Sequence, residues 1–151
     1  MQTEHVHVDK QSPAAYHAMV SVASTVTRLA KESGLSRELV ELVNVRVSQL
    51  NGCASCLEIH HRRAAIAGVT DKQLACVSTW RDTELFSERE RAALRLAEIT
   101  TTLPDHDTAE REYARARAVF ADDELSAIVW VAITINTFNR VAILSCHTVK
   151  P

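Results

Sequence analysis

The stretch Ser36 to Gly68, SRELVELVNVRVSQLNGCASCLEIHHRRAAIAG, decides the fold. Leu39, Leu42, Val43, Val47 and Leu50 recur at the three- and four-residue steps of one helical face, and Ser36 stands just ahead of them as an N-cap type. The opposite face carries Glu41, Val45 and Ser48, a mixture unlike a solvent surface. Asn51-Gly52 ends this helix, because glycine accepts the positive φ that a tight reversal demands. A second helix starts at or just before Cys53 and runs to Ala67, with Gly68 as its stop. The tight turn folds the two helices against each other and sets Cys53 and Cys56 in a first helical turn.

Outward from this pair the chain keeps reading as helix. Ser12 followed by Pro13 opens a helix to Glu32 in which Met19, Val22, Val26 and Leu29 share a face, and Gly34 follows as its stop. Thr70 with Gln73 and Ser87 with Glu90 are capping boxes, predicting helices over Asp71 to Thr79 and Glu88 to Thr102, the latter closed by Pro104. Asp107 with Glu110 is a weaker version of the same signal for a helix through Val119. The last helix begins near Asp122 and is apolar on almost every side from Leu125 to Leu144, so protein must surround it, either its own domain or another subunit. The expectation is a single all-α domain over residues 1–151, a compact bundle of about six to seven helices.

Composition narrows the function. With 151 residues and only three glycines and three prolines, turn-rich β architectures are excluded. Lysine plus arginine number 17 against 19 acids, so no basic face is available to neutralise a run of phosphates and a nucleic-acid partner is not expected. The opening MQTEHVHVDK lacks an apolar export region, and no stretch reaches the ~18 uninterrupted apolar residues of a membrane span. A cytoplasmic protein without a membrane partner is the expectation, and in that reducing compartment a C-x-x-C is more often catalytic or metal-binding than a structural staple.

A thiol reacts as its thiolate, and the start of a helix favours an anion through unpaired N–H groups and the macrodipole. Cys53 and Cys56 are one turn apart, close enough for a reversible dithiol/disulfide couple. His60 lies on the same face one turn beyond Cys56 and can accept a thiol proton. Glu41, twelve residues before Cys53, is folded back by the turn to a position where a carboxylate can orient His60. Each residue also has a structural reading: Glu41 as a surface charge, His60 as an ordinary histidine, and the cysteine pair as half of a zinc site. Zinc would draw on Cys53, Cys56, His60 and His61, but successive residues on a helix point about 100° apart, which makes the set awkward. Cys76 and Cys146 read as buried small apolar residues, and Trp80 and Trp130 as packing. Asn136, Asn139 and Arg140 interrupt the last helix; buried, they must be hydrogen-bonded, to the loop around the cysteines or to a neighbouring subunit, or else line the substrate's way in.

The run ELVNVRVSQLNGCASCLEIH, a glutamate, eleven residues, C-x-x-C, three residues and a histidine, resembles the alkylhydroperoxidase AhpD-like branch of the carboxymuconolactone decarboxylase family. So do Trp80 to Glu98, WRDTELFSERERAALRLAE, and the NTFNR segment from Asn136 to Arg140. The resemblance implies an all-helical fold assembled as a homotrimer or homohexamer, and a thiol-dependent peroxidase or disulfide reductase without metal, haem or flavin. It implies that Cys56 attacks a hydroperoxide, that Cys53 resolves the sulfenic acid to a disulfide, and that His60 and Glu41 relay protons. An external dithiol such as dihydrolipoamide, on a lipoyl-bearing protein, would restore the pair, which can in turn reduce a peroxiredoxin. The founding members carry a histidine just before the second cysteine, where this chain has Ser55. Helix electrostatics point to Cys53 as the site of exchange with the donor. The rival readings are a cofactor-free decarboxylase or isomerase acting on a lactone, a branch that generally lacks the cysteine pair, and a zinc-binding structural module.

Overall fold

The computed structural model describes residues 3–151, and among these the regular structure is entirely helical. Eight α-helices follow one another: α1 (Val8–Gln11), α2 (Pro13–Glu32), α3 (Arg37–Asn51), α4 (Ala54–Ala67), α5 (Asp71–Cys76), α6 (Glu88–Thr102), α7 (His106–Arg117) and α8 (Asp122–Leu144), with a 3-10 segment at Val77–Asp82. The expected caps at Ser36, Thr70 and Ser87 form, whereas Ser12 occupies the N-cap position of α2 without a side-chain capping bond. Ser36 Oγ accepts the Leu39 N–H at 3.2 Å, and Thr70 and Ser87 each close a capping box with Gln73 and Glu90.

One additional helix and two boundaries differ from the sequence reading. The four-residue α1 was not anticipated. The helix from Asp71 stops at Cys76 and tightens to 3-10, with Thr79 leaving helical geometry (φ −118°, ψ 24°), and this brings Trp80 into the interior at 1% exposure. The N-cap of α7 is Asp105 rather than Asp107: standing directly behind Pro104, it accepts the Thr108 N–H at 3.0 Å.

α3 lies at the centre, packed on α4, α6 and α8. Leu39, Val43 and Val47 face one apolar cluster with Leu96, Ile128, Val131 and Ile135; Leu42 and Val45 face a second with Leu74, Val77, Trp80 and Leu94. Being covered from both sides explains the mixed face: Glu41, Val45 and Ser48 are all buried. Each fully buried aliphatic side chain here contributes about 1.5–3 kcal/mol.

α8 is long and apolar enough by length and composition to cross a bilayer, yet it packs on α2, α3 and α6 as a core helix. Its covering is incomplete. Trp130 is 45% exposed and Ile133 40%, so Trp130 is not the packing residue expected of it, whereas Trp80 is. Cys146 is also exposed, because the chain leaves α8 there through a left-handed residue (φ 52°). Cys76 is half-buried against the second cluster.

Glu98 fastens α6 to α3 and to the 3-10 segment. Its Oε1 accepts from Arg46 Nε and from the Trp80 indole, both at 2.9 Å, and its Oε2 accepts from Arg81. Burial alone would push the Glu98 carboxyl up, but hydrogen bonds from Trp80, Arg81 and Arg46 and the Arg46 charge hold it below its ordinary value. A lowered folded-state pKa stabilises the fold above the ordinary glutamate range, and that stabilisation is lost as pH falls through the folded value. Glu98→Gln is therefore expected to cost about 3 kcal/mol at neutral pH by leaving Arg46 without its counter-charge. In urea unfolding across a pH series the gap from wild type should narrow in acid; a gap independent of pH contradicts this account.

Candidate active site

The site is built on the reversal between α3 and α4. Gly52 adopts φ +67°, its N–H bonds to Gln49 O at 3.2 Å, and the next N–H, of Cys53, bonds to Ser48 O at 3.0 Å. Cys53 thereby becomes the N-cap of α4, and its sulfur accepts the Cys56 backbone N–H at 3.4 Å, the bond that a serine or aspartate oxygen usually takes. Ser55 Oγ lies 3.7 Å from the same sulfur. Both cysteines are free and buried, Cys53 at 1% exposure and Cys56 at 8%.

Because α4 returns along α3, His60 meets Glu41. The Nδ1–H of His60 donates to Glu41 Oε2 at 2.7 Å, and the Asn44 amide approaches the same oxygen at 3.5 Å. Both side chains are mostly buried, at 13% and 9% exposure. An imidazole whose Nδ1–H is held by a carboxylate keeps Nε2 as its acceptor, the tautomer a proton-accepting group needs. Glu41 and His60 are thus a bonded pair, and Cys53 and Cys56 are another. Among the described residues no hydrogen bond joins the two pairs. Their connection is the α4 helix itself, on which His60 follows Cys56 by one turn.

α8 supplies a third component. Asn51 Nδ2 donates to both Asn136 Oδ1 and Asn139 Oδ1 at 2.9 Å, and Asn139 Nδ2 donates to Ser48 Oγ at 3.2 Å. Asn136 is held by Thr101 Oγ1 at 3.0 Å and Ala132 O at 2.9 Å, and Arg140 donates to its backbone and side-chain oxygens at 3.0 Å. Of the roles open to this polar interruption, the structure shows the brace on the cysteine loop. The Cys56 thiol points to Phe138 O at 4.0 Å, and the Phe138 ring meets Tyr16 edge-on at 6.1 Å.

Burial pushes the Cys56 thiol up to about 11; the hydrogen bond and charge of Cys53 push the same way, while Asn139 and Ser55 pull it down. The environment of Cys56 thus favours its protonated form near neutrality. The zinc arrangement is not assembled, since His60 is engaged by Glu41 and His61 is exposed.

Sequence reasoning missed Asn51 as anything beyond a turn former, and it missed Ser48, Tyr16 and the Phe138 carbonyl. The burial of Ser48 was signalled by its place on the mixed face of α3. Tyr16 and a backbone oxygen left no signal.

The profile described as the carboxymuconolactone decarboxylase family matches residues 13–98. The uncharacterized protein YdfG of Bacillus subtilis (strain 168) is 31% identical over 124 residues, 82% of this chain and 84% of that protein. The uncharacterized protein YnjA of Escherichia coli (strain K12) is 39% identical over 75 residues, 49% of this chain and 41% of that protein. A crystal structure from Agrobacterium tumefaciens, of a protein of unknown function given as a candidate antioxidant defence protein AhpD, superposes with a TM-score of 0.87 at 27% identity and covers 99% of both chains.

Asn139→Ala removes the link between Asn51 and Ser48 and one of the two groups that pull the Cys56 thiol down. The expected cost is about 1–3 kcal/mol in chemical unfolding. Alkylation of Cys56 at mildly alkaline pH, followed by peptide mass spectrometry, should slow as its pKa rises. Faster alkylation would mean that Asn139 shields the sulfur rather than favouring its ionisation.

Proposed function

The chain belongs to the carboxymuconolactone decarboxylase family, in its AhpD-like branch, and on that premise we propose that it is a thiol oxidoreductase reducing hydroperoxides through Cys53 and Cys56. The observation that carries the reading is the combination of one dithiol and one base along α4: a sulfur-capped first turn holding Cys53 and Cys56 and, one turn beyond Cys56, an imidazole held by the Glu41 carboxylate of α3.

His60, held by Glu41, takes the Cys56 proton through a bridging water, since no direct hydrogen bond joins the two, and the thiolate attacks the outer peroxide oxygen. The O–O bond breaks, the alcohol leaves with a proton returned by the imidazolium, and Cys56 becomes a sulfenic acid. Cys53 attacks that sulfur, water departs, and the disulfide forms. Cys56 as the attacking thiol is supported by its greater exposure. The same fact redirects the recycling step. Cys53 is the deeper sulfur, so the external dithiol attacks Cys56, and Cys53 leaves as the sulfur that the first turn of α4 hydrogen-bonds. A dihydrolipoamide-type donor, ending as its own disulfide, balances the electrons. No metal, haem or flavin takes part. A lipoyl-bearing protein and a peroxiredoxin are the partners this chemistry suits, in the cytoplasm, where thiols stay reduced. The lactone decarboxylase reading makes no use of the cysteine pair.

Assembly as a homotrimer or homohexamer is part of the same reading. It would cover the apolar side chains left exposed, Val20 and Val22 on α2 and Trp130 and Ile133 on α8. Sedimentation should then give a mass of three or six chains, and Trp130→Glu should lower it; a wild-type monomer would remove this part of the proposal.

Peroxide consumption with dihydrolipoamide as reductant should vanish in Cys56→Ser and Cys53→Ser. His60→Ala should lose about 10²–10⁴-fold, the usual worth of a general base, with Glu41→Gln showing a loss of the same kind. With the Cys56 thiol at about 11, the His60→Ala rate should climb close to tenfold per pH unit through neutrality, as hydroxide replaces the missing base. Full activity in Cys56→Ser would overturn the assignment.

A further inference from the structure

The segment before α1 and the segment after α8 lie against each other. Ser145, fully buried, accepts the Val8 N–H at 3.0 Å, and His5 Nδ1 donates to Leu144 O at 3.1 Å. This contact gathers three side chains that the peroxidase reading leaves unused. His7 is the residue ahead of α1, Asp9 stands in α1, and His147 follows α8; the two imidazole rings meet edge-on with centroids 5.2 Å apart. One nitrogen from each ring and a carboxylate oxygen of Asp9 lie within 4.8 Å of one another.

One of these atoms has an unmet need. Asp9 Oδ1 is buried without a hydrogen-bond partner, although His147 Nε2 stands only 3.2 Å away. A buried carboxylate oxygen lacking a donor is costly, and a cation between it and the imidazole nitrogens would offset that cost. The spacing suits an ion. Two ligand atoms bound at about 2.0–2.1 Å to a tetrahedral centre are about 3.4 Å apart, close to the separation of Asp9 Oδ1 and His147 Nε2. His7, exposed, offers the third ligand atom within 4.8 Å of the other two.

We infer that His7, Asp9 and His147 form a binding site for a divalent zinc-class cation, joining the N-terminal segment to the end of α8, with water completing the coordination. Two imidazoles and one carboxylate are a borderline donor set, which selects zinc and its neighbours over magnesium and calcium, whose shells are built from oxygen alone. The site shares no residue with the cysteine pair or with His60. Its partners are separated by nearly the whole chain, so the ion acts as a clasp between distant segments, and its binding energy adds to the stability of the fold.

The test uses the full chain without a histidine tag, stripped with a chelator and titrated with Zn²⁺ by calorimetry and with Co²⁺ by absorption. One ion per chain should bind, the Co²⁺ spectrum should lack sulfur charge-transfer bands, and the melting temperature should rise with added Zn²⁺. The Cys53→Ser/Cys56→Ser double variant should bind as wild type does, whereas His147→Ala and His7→Ala should each weaken binding at least tenfold. His7 is exposed, so its variant should remain folded, and circular dichroism checks this. Absence of stoichiometric binding, binding that survives His7→Ala undiminished, or binding lost with the cysteines would each overturn the inference.

Discussion

The reversal at Asn51, Gly52 and Cys53 is the constraint on which the site depends. It ends α3 by a left-handed glycine, turns the next N–H back to Ser48 O, and leaves Cys53 as the cap of α4. One turn geometry therefore does two things: it puts a sulfur where a helix needs an acceptor, and it sends α4 back along α3 so that residues nineteen apart, Glu41 and His60, touch. The asparagines of α8 hold the turn from outside. Since the Asn51 amide has two hydrogens and both find oxygens at 2.9 Å, the turn is fixed in orientation as well as in place.

A second constraint comes from burial. Taking a carboxylate and an imidazole out of water is costly unless each satisfies the other, and the 2.7 Å bond between Glu41 and His60 meets that condition while fixing the tautomer. The same burial pushes the Cys56 thiol up to about 11. These two effects are complementary. A thiol that ionised freely would need no base, and the base proposed for this one stands one turn further along α4.

Much of this was legible in the sequence because it rests on local rules. The capping boxes at Thr70 and Ser87, the stop at Gly52 and the burial of the mixed α3 face follow from residues within one or two turns of each other. Glu41 and His60 were readable as a pair because only a short turn separates their helices. Contacts between distant segments left weaker traces. Asn139 was recognisable as a buried amide needing partners, but Ser48 and Asn51 as those partners depend on how α8 lies across α3. Competition misled the reading elsewhere: Asp105 and Asp107 are both acceptable caps, and the proline ahead of Asp105 decides between them. Trp130 lies within an apolar run and Cys146 just after it, which suggests an interior place for both, whereas the outer side of α8 and the left-handed exit after it leave both exposed.

Ser55 shows how the arrangement accommodates a residue that departs from the resemblance. A histidine in that position would hold a proton beside the cysteines. Ser55 instead leans toward Cys53, 3.7 Å from its sulfur, and not toward the pair formed by Glu41 and His60. A hydroxyl can donate to a sulfur and thereby ease negative charge on it, but it does not store a proton near neutrality. In the proposed cycle proton storage would then fall to His60 alone, while Ser55, 3.7 Å from the Cys53 sulfur and also pulling the Cys56 thiol down, would ease charge on the sulfurs. On that proposal the two duties that one histidine would combine are divided along α4, with hydrogen bonding at its cap and proton transfer assigned one turn beyond Cys56.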